Sequence, residues 1–145
     1  MKAMRRPGAA DVLVIGFEPG ELLLESLQRA IDEQGVRNGA VVSGIGTLTT
    51  CTLHCITHTN FPSDNHFWTL EKPLELLSVS GVIAGGEPHL HVVVSCGEDE
   101  VYAGHLEPGA EVAYLAELVV LVFNDLPLTR RRDPERQVML LGPKE

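Results

Sequence analysis

The chain is short of basic residues, aromatic residues and cysteine. Its 145 residues carry 11 Lys and Arg against 20 Asp and Glu, a formal charge of -9, and aromatic side chains make up 5%. A strongly acidic chain makes a poor duplex-binding surface, because nucleic-acid affinity comes largely from releasing counterions at a basic patch. The three cysteines, Cys51, Cys55 and Cys96, are an odd number. Cys51 and Cys55 lie in a β-like run whose four-residue span of about 13 Å is too long for a bridge. All three read as free thiols, in keeping with a cytoplasmic setting. The longest apolar runs, 12–17, 76–84 and 115–123, fall short of the roughly 20 residues a membrane helix needs, so no bilayer span is expected. The N-terminus has basic residues but no apolar stretch with a cleavage site behind them.

What the chain does have is 44% apolar residues and enough length for one packed domain. Its charge is unevenly placed. Residues 1–10 hold Lys2, Arg5 and Arg6 with no acid and read as a flexible basic arm, while 11–145 read as a single domain. Residues 11–129 carry three basic against 17 acidic side chains, a net of -14. Positive charge returns at Arg130, Arg131, Arg132 and Arg136, which read as a solvated loop or a partner contact.

Val, Leu and Ile at 11–17 predict a first strand. Pro19 and Gly20 then open a helix whose Leu23, Leu24, Leu27, Ala30 and Ile31 repeat at three and four residues, with Gly35 as its stop. Strands are expected near 40–48, 51–58, 75–84, 89–96, 101–106 and 112–123, divided by turn chemistry at 62–65, 85–88, 97–100 and 107–110. Short gaps favour antiparallel neighbours, so the fold class is α+β: a mainly antiparallel sheet wrapped around one amphipathic helix. The run 112–123 is apolar on both faces, as in a strand covered on both sides. One helix cannot cover both, and oligomerisation is the simplest remedy.

Pro88-His-Leu-His-Val92 carries the sharpest chemistry. In a strand, His89 and His91 share a face with Cα atoms roughly 6.6 Å apart, within reach of one metal ion. Leu90, Val92 and Val94 take the other face. His105 follows on the next strand of an apparent hairpin, and three neutral imidazoles with an open position suit a catalytic zinc better than a structural one. Register decides the matter. A loop of two or four residues turns His105 away, whereas a three- or five-residue loop centred on Glu98, or a bulge at Gly104, brings it onto the shared face. The other reading is a partly buried, hydrogen-bonded group of strand histidines.

Glu117 stands inside an apolar run, where burial without a partner would cost several kcal/mol. A metal, a histidine, Arg29 or Arg37 could serve it, or it could form a structural ion pair. Cys51-Thr-Leu-His-Cys55 is a weak metal half-site, since a strand points His54 away from both cysteines. His54, His58 and His66 lack a spacing of their own and read as strand or loop residues. Ser43-Gly-Ile-Gly-Thr47 lacks the third glycine, the following helix and the Gly-Lys-Ser/Thr of a phosphate loop. Its glycines mark close backbone approach instead.

In order along the chain, Phe17-Glu-Pro-Gly-Glu-Leu22, Gly39-Ala-Val-Val-Ser-Gly-Ile-Gly-Thr47, Leu74-Glu-Leu-Leu-Ser-Val-Ser-Gly81, Glu87-Pro-His-Leu-His-Val92, Ala103-Gly-His-Leu106 and Ala116-Glu-Leu-Val119 resemble the PPC (plants and prokaryotes conserved) domain. That resemblance implies antiparallel strands around one helix, a homotrimer, and His89, His91 and His105 as ligands of a divalent metal, zinc being expected. It also implies a regulatory or DNA-binding role, against which the -14 body stands. Plant members reach DNA through an AT-hook, of which Arg5-Arg6-Pro7-Gly8 is only a misordered trace. The fold is similar to acetolactate decarboxylase and to a zinc-dependent ester hydrolase, which use an HxH pair and a later histidine. The alternative function is therefore a zinc-dependent decarboxylase or hydrolase acting on a small carbonyl or carboxylate ligand held at the metal, with Glu117 as its catalytic acid or base.

Overall fold

The computed structural model describes Met4, Gly8 and residues 10–144; the basic arm, with Arg5 and Arg6, otherwise lies outside the described residues. The first strand, β1 (Asp11–Phe17), leads through a turn to the helix α1 (Leu23–Glu33). Leu23, Leu27 and Ile31 recur at helical spacing and are buried. The helix is tied at its N-terminal end and at its middle: Leu23 N donates to Ala110 O, Gly109 N to Glu25 Oε1, and Gln28 Nε2 to Gly86 O. It starts a few residues later than Pro19-Gly20 suggested, because Gly20 N is taken by Val112 O.

Among the described residues, seven further strands run antiparallel to their neighbours: β2 (Asn38–Ile56), β3 (Asn65–Ala84), β4 (Glu87–Cys96), β5 (Glu100–Leu106), β6 (Glu111–Val122) and, as a separate hairpin, β7 (Leu128–Arg132) and β8 (Met139–Pro143). The main sheet has the order β1-β6-β2-β3-β4-β5, and β5 returns to pair with the far end of β2. Strands β2 to β5 thereby close on themselves, leaving β6 and β1 as a wing packed on the helix. The α+β expectation holds.

Three boundaries differ from those read in the sequence. The two strands expected at 40–48 and 51–58 are one long strand, β2, which starts at Asn38 and ends at Ile56, with a register shift between Leu48 and Thr50 where a break was expected. β3 begins ten residues early, at Asn65, because His66 to Leu70 pair with the second half of β2. Of the arginines, Arg131, Arg132 and Arg136 are exposed as expected, but Arg130 to Arg132 form part of a strand and Arg130 is partly buried. Arg130 lies in β7 and donates to Val82 O (2.6 Å) and Glu87 O (3.0 Å), while Leu128 is buried with its N–H on Asn38 Oδ1 (2.9 Å).

Glu117 is also placed differently. Ala116, Leu118 and Val120 are buried, and Glu117 alternates onto the opposite face, where it is exposed beside Gly16 and Ile45. Among the described residues, the wing is covered on one side only. Val12, Val14, Val42, Ile45 and Leu115 are all exposed there.

Candidate metal centre

The β4–β5 turn contains Gly97, Glu98 and Asp99, with Cys96 opposite Glu100. This is the three-residue loop centred on Glu98, and Gly97 takes the positive φ (62°) that such a turn asks of one residue. The odd count places His105 directly opposite His91. Leu90, Val92 and Leu106 fill the core while His89, His91 and His105 share the outer face. One ligand nitrogen from each lies within 4.8 Å of the others. The ring centres are 5.5 Å (His89–His91), 4.8 Å (His89–His105) and 5.5 Å (His91–His105) apart.

The donor chemistry fits a borderline-soft divalent ion. A tetrahedral zinc with nitrogen bonds of about 2.0–2.1 Å spaces its ligands about 3.4 Å apart, so small rotations at the exposed His89 and His91 complete the set. Both shifted imidazoles favour the neutral form a metal needs. Burial, followed by the charges of His54 and His89, pushes His105 down to about 4 against a smaller opposing pull from Glu107. His89 is lowered by burial, then by Arg130 and the neighbouring histidines.

The sequence reading missed two residues here. His54 pairs in register with His105 across the β2–β5 seam, with ring centres 4.3 Å apart and nearly parallel planes. Its Nδ1 lies 2.5 Å from Glu107 Oε1, which is also 4.0 Å from His105 Nε2. A single rung therefore runs His91, His105, His54 across three strands. No local spacing joins His54 to His105; only closure of the sheet does. Glu117, the carboxylate the sequence singled out, is not brought to the histidines within the chain, and Glu107 is the carboxylate that is. His58 and His66 stay outside the cluster, His66 stacking on Trp68 instead (5.6 Å). Cys51 is buried, which pushes its thiol up to about 11, and Cys55 is exposed; neither joins His54.

The seam depends on Gly104. A Cβ there would meet His54 O at 2.7 Å and Trp68 Cη2 at 3.4 Å, so β5 reaches β2 through close backbone approach and not through a bulge. A cavity of about 580 Å³ lies elsewhere, bordered by Thr47, Lys72, Glu75, Ser95 and Tyr114. The histidines occupy the open outer face.

These features define a small antiparallel-β domain closed around its core, carrying a histidine cluster at the seam. Residues 4–124 match the Plants and Prokaryotes Conserved (PCC) domain, and the chain belongs to that family. A bifunctional protein GlmU from Synechococcus sp. (strain JA-2-3B'a(2-13)) is 30% identical over 128 residues, 88% of this chain but 19% of that protein. The chain thus spans about a fifth of the length of the curated relatives it matches. The metal-containing protein AF0104 from Archaeoglobus fulgidus superposes with a TM-score of 0.81 at 24% identity, over 98% of this chain and 99% of that one. A Bacteroides thetaiotaomicron protein provisionally described as DNA-binding gives 0.79 at 20% identity, over 95% and 94%. At these identities the structural likeness establishes the fold.

Proposed function

We propose that the chain is a metal-binding module in which His89, His91 and His105 hold a divalent ion, zinc by the chemistry of three imidazoles, and leave a coordination position open to a small ligand. The observation that carries this reading is the His91–His105 register set by the three-residue turn. A Lewis acid in that position polarises a carbonyl or carboxylate oxygen. The chain's own part is to hold three neutral rings on a rigid sheet. Metal analysis of protein expressed in metal-replete medium tests it: wild type retains metal and His89→Ala holds one ion fewer per chain, whereas a wild type without metal overturns the reading.

Assembly as a homotrimer belongs to the same proposal and is supported by the apolar outer face of β1, β6 and β2. A regulatory or scaffolding role suits an open surface site. Duplex DNA does not suit a body of net charge -14, so titration with random duplex at low salt is expected to give no binding. The enzymatic alternative is favoured by one observation, a carboxylate beside the rings; that carboxylate is Glu107 and not Glu117.

A further inference from the structure

We infer that His54, His105 and Glu107 form a second divalent-cation site, next to the three-histidine set and sharing His105 with it. The inference rests on that reading only through the shared ring; its other two ligands are independent. One donor atom from each of the three residues lies within 4.8 Å of the others. The shortest separations, 2.5 Å from His54 Nδ1 and 4.0 Å from His105 Nε2, both end on the same carboxylate oxygen, Glu107 Oε1. The three side chains are 19%, 24% and 27% exposed, sheltered enough to limit competition from water yet open to an entering ion.

Two imidazoles and a carboxylate are a common ligand set for zinc and its neighbours. The carboxylate makes the set anionic, which the three-histidine group is not, and this offsets the repulsion between two ions placed close together. The backbone holds the arrangement in place. His54 and His105 are cross-strand partners, and Glu107 N donates to Thr52 O (3.0 Å), which fixes the strand's exit beside the rings.

Protons balance as follows. In the free site the neutral His54 ring donates Nδ1–H to Glu107; when the ion takes Nδ1, that ring carries its one N–H on Nε2, and no proton leaves. With both ions bound, His105 presents a nitrogen to each and releases its N–H proton to solvent. Each ion then keeps its own open position for a water or a single oxygen ligand.

The test is a zinc titration of the demetallated full chain, reading retained metal per chain, with circular dichroism confirming the fold of each variant. Wild type is expected to hold two ions, and His54→Ala, Glu107→Gln and His89→Ala one each. One ion in wild type, unchanged in His54→Ala and Glu107→Gln and lost in His89→Ala, overturns the second site and leaves the three-histidine reading standing. Two ions in wild type and still two in both His54→Ala and Glu107→Gln also overturn it. One ion lost in His54→Ala but kept in His89→Ala upholds the second site and removes the first.

Discussion

Replacing Gly104 with alanine tests how the site is built. The added Cβ lands 2.7 Å from His54 O, below the 3.0 Å that real Cβ contacts keep, and its other near neighbour is the Trp68 ring at 3.4 Å. Neither the carbonyl nor the indole is the free end of a flexible chain, so β5 must move off β2. Overpacking of this kind costs about 1–3 kcal/mol. The β2–β5 seam consists of two rungs, Leu53–Leu106 and His54–His105, and weakening its hydrogen bonds adds about 1 kcal/mol. A total of about 2–4 kcal/mol lowers Tm by roughly 5–15 °C in a domain of this size. Urea unfolding at one fixed protein concentration gives the stability, since association would otherwise shift the midpoint. Metal held by the His54, His105 and Glu107 set should fall with it, because His54 and His105 separate, while the His91–His105 pairing within β4–β5 is kept. A Gly104→Ala protein within 0.5 kcal/mol of wild type would refute the argument that close approach at this glycine closes the sheet.

Three further outcomes follow from named contacts. In the metal-free chain His105 titrates near pH 4 folded and near 6.5 unfolded, so the unfolded state binds the proton first. Stability is then full above about pH 6.5 and falls towards pH 4, by at most about 3 kcal/mol; urea midpoints across this range should slope less in His105→Asn, and parallel slopes would contradict it. Arg130→Met removes two charge-assisted bonds to Val82 O and Glu87 O. It should cost about 1–3 kcal/mol and expose the β7–β8 hairpin to limited proteolysis; an unchanged digestion pattern would show that Leu128 and Asn38 hold the hairpin alone. Val14 is 68% exposed, so Val14→Asp should change the stability of an isolated chain by less than about 0.5 kcal/mol while dissociating a trimer, and equal sedimentation of variant and wild type would remove that face from the interface.

How much of this was legible in the sequence depended on the range of the interactions. The helix was readable because its apolar repeat is local, and the β4–β5 register because a turn of a few residues sets it. The turn left two possibilities, and only the structure chose the odd one. What could not be read was the closure of β5 onto β2, a pairing between strands that are not consecutive. His54 enters the cluster through that closure alone, whereas Glu107 stands two residues after His105 and was within reach of strand alternation. Glu117 misled for a related reason: within an apolar run a carboxylate looks buried, but alternation sends it to the face that this chain leaves open. Arg130 misled because its charge was read without its hydrogen-bond partners, two backbone carbonyls flanking the β3–β4 turn.

The acidic body bears on the site less than its total suggests. At physiological salt, charges on the surface act over about 8 Å, so most of the acids along the chain add little attraction for an ion at the rings. Glu107, 4.0 Å from His105, acts within that range, and its effect is opposed by Arg130, which lowers the affinity of His89 for a proton. The cluster is therefore graded: its His89 end lies near a fixed cation and its His54 end carries a fixed anion. A metal ion added to the His54 end meets an anionic ligand, while an anionic small ligand is better received at the His89 end. Arg130→Met should consequently weaken binding of a small carboxylate such as oxalate to the metal-loaded protein while leaving a neutral ligand such as imidazole unaffected, as read by calorimetry. Equal losses for both ligands would mean that the variant had disturbed the ring geometry and not the charge gradient.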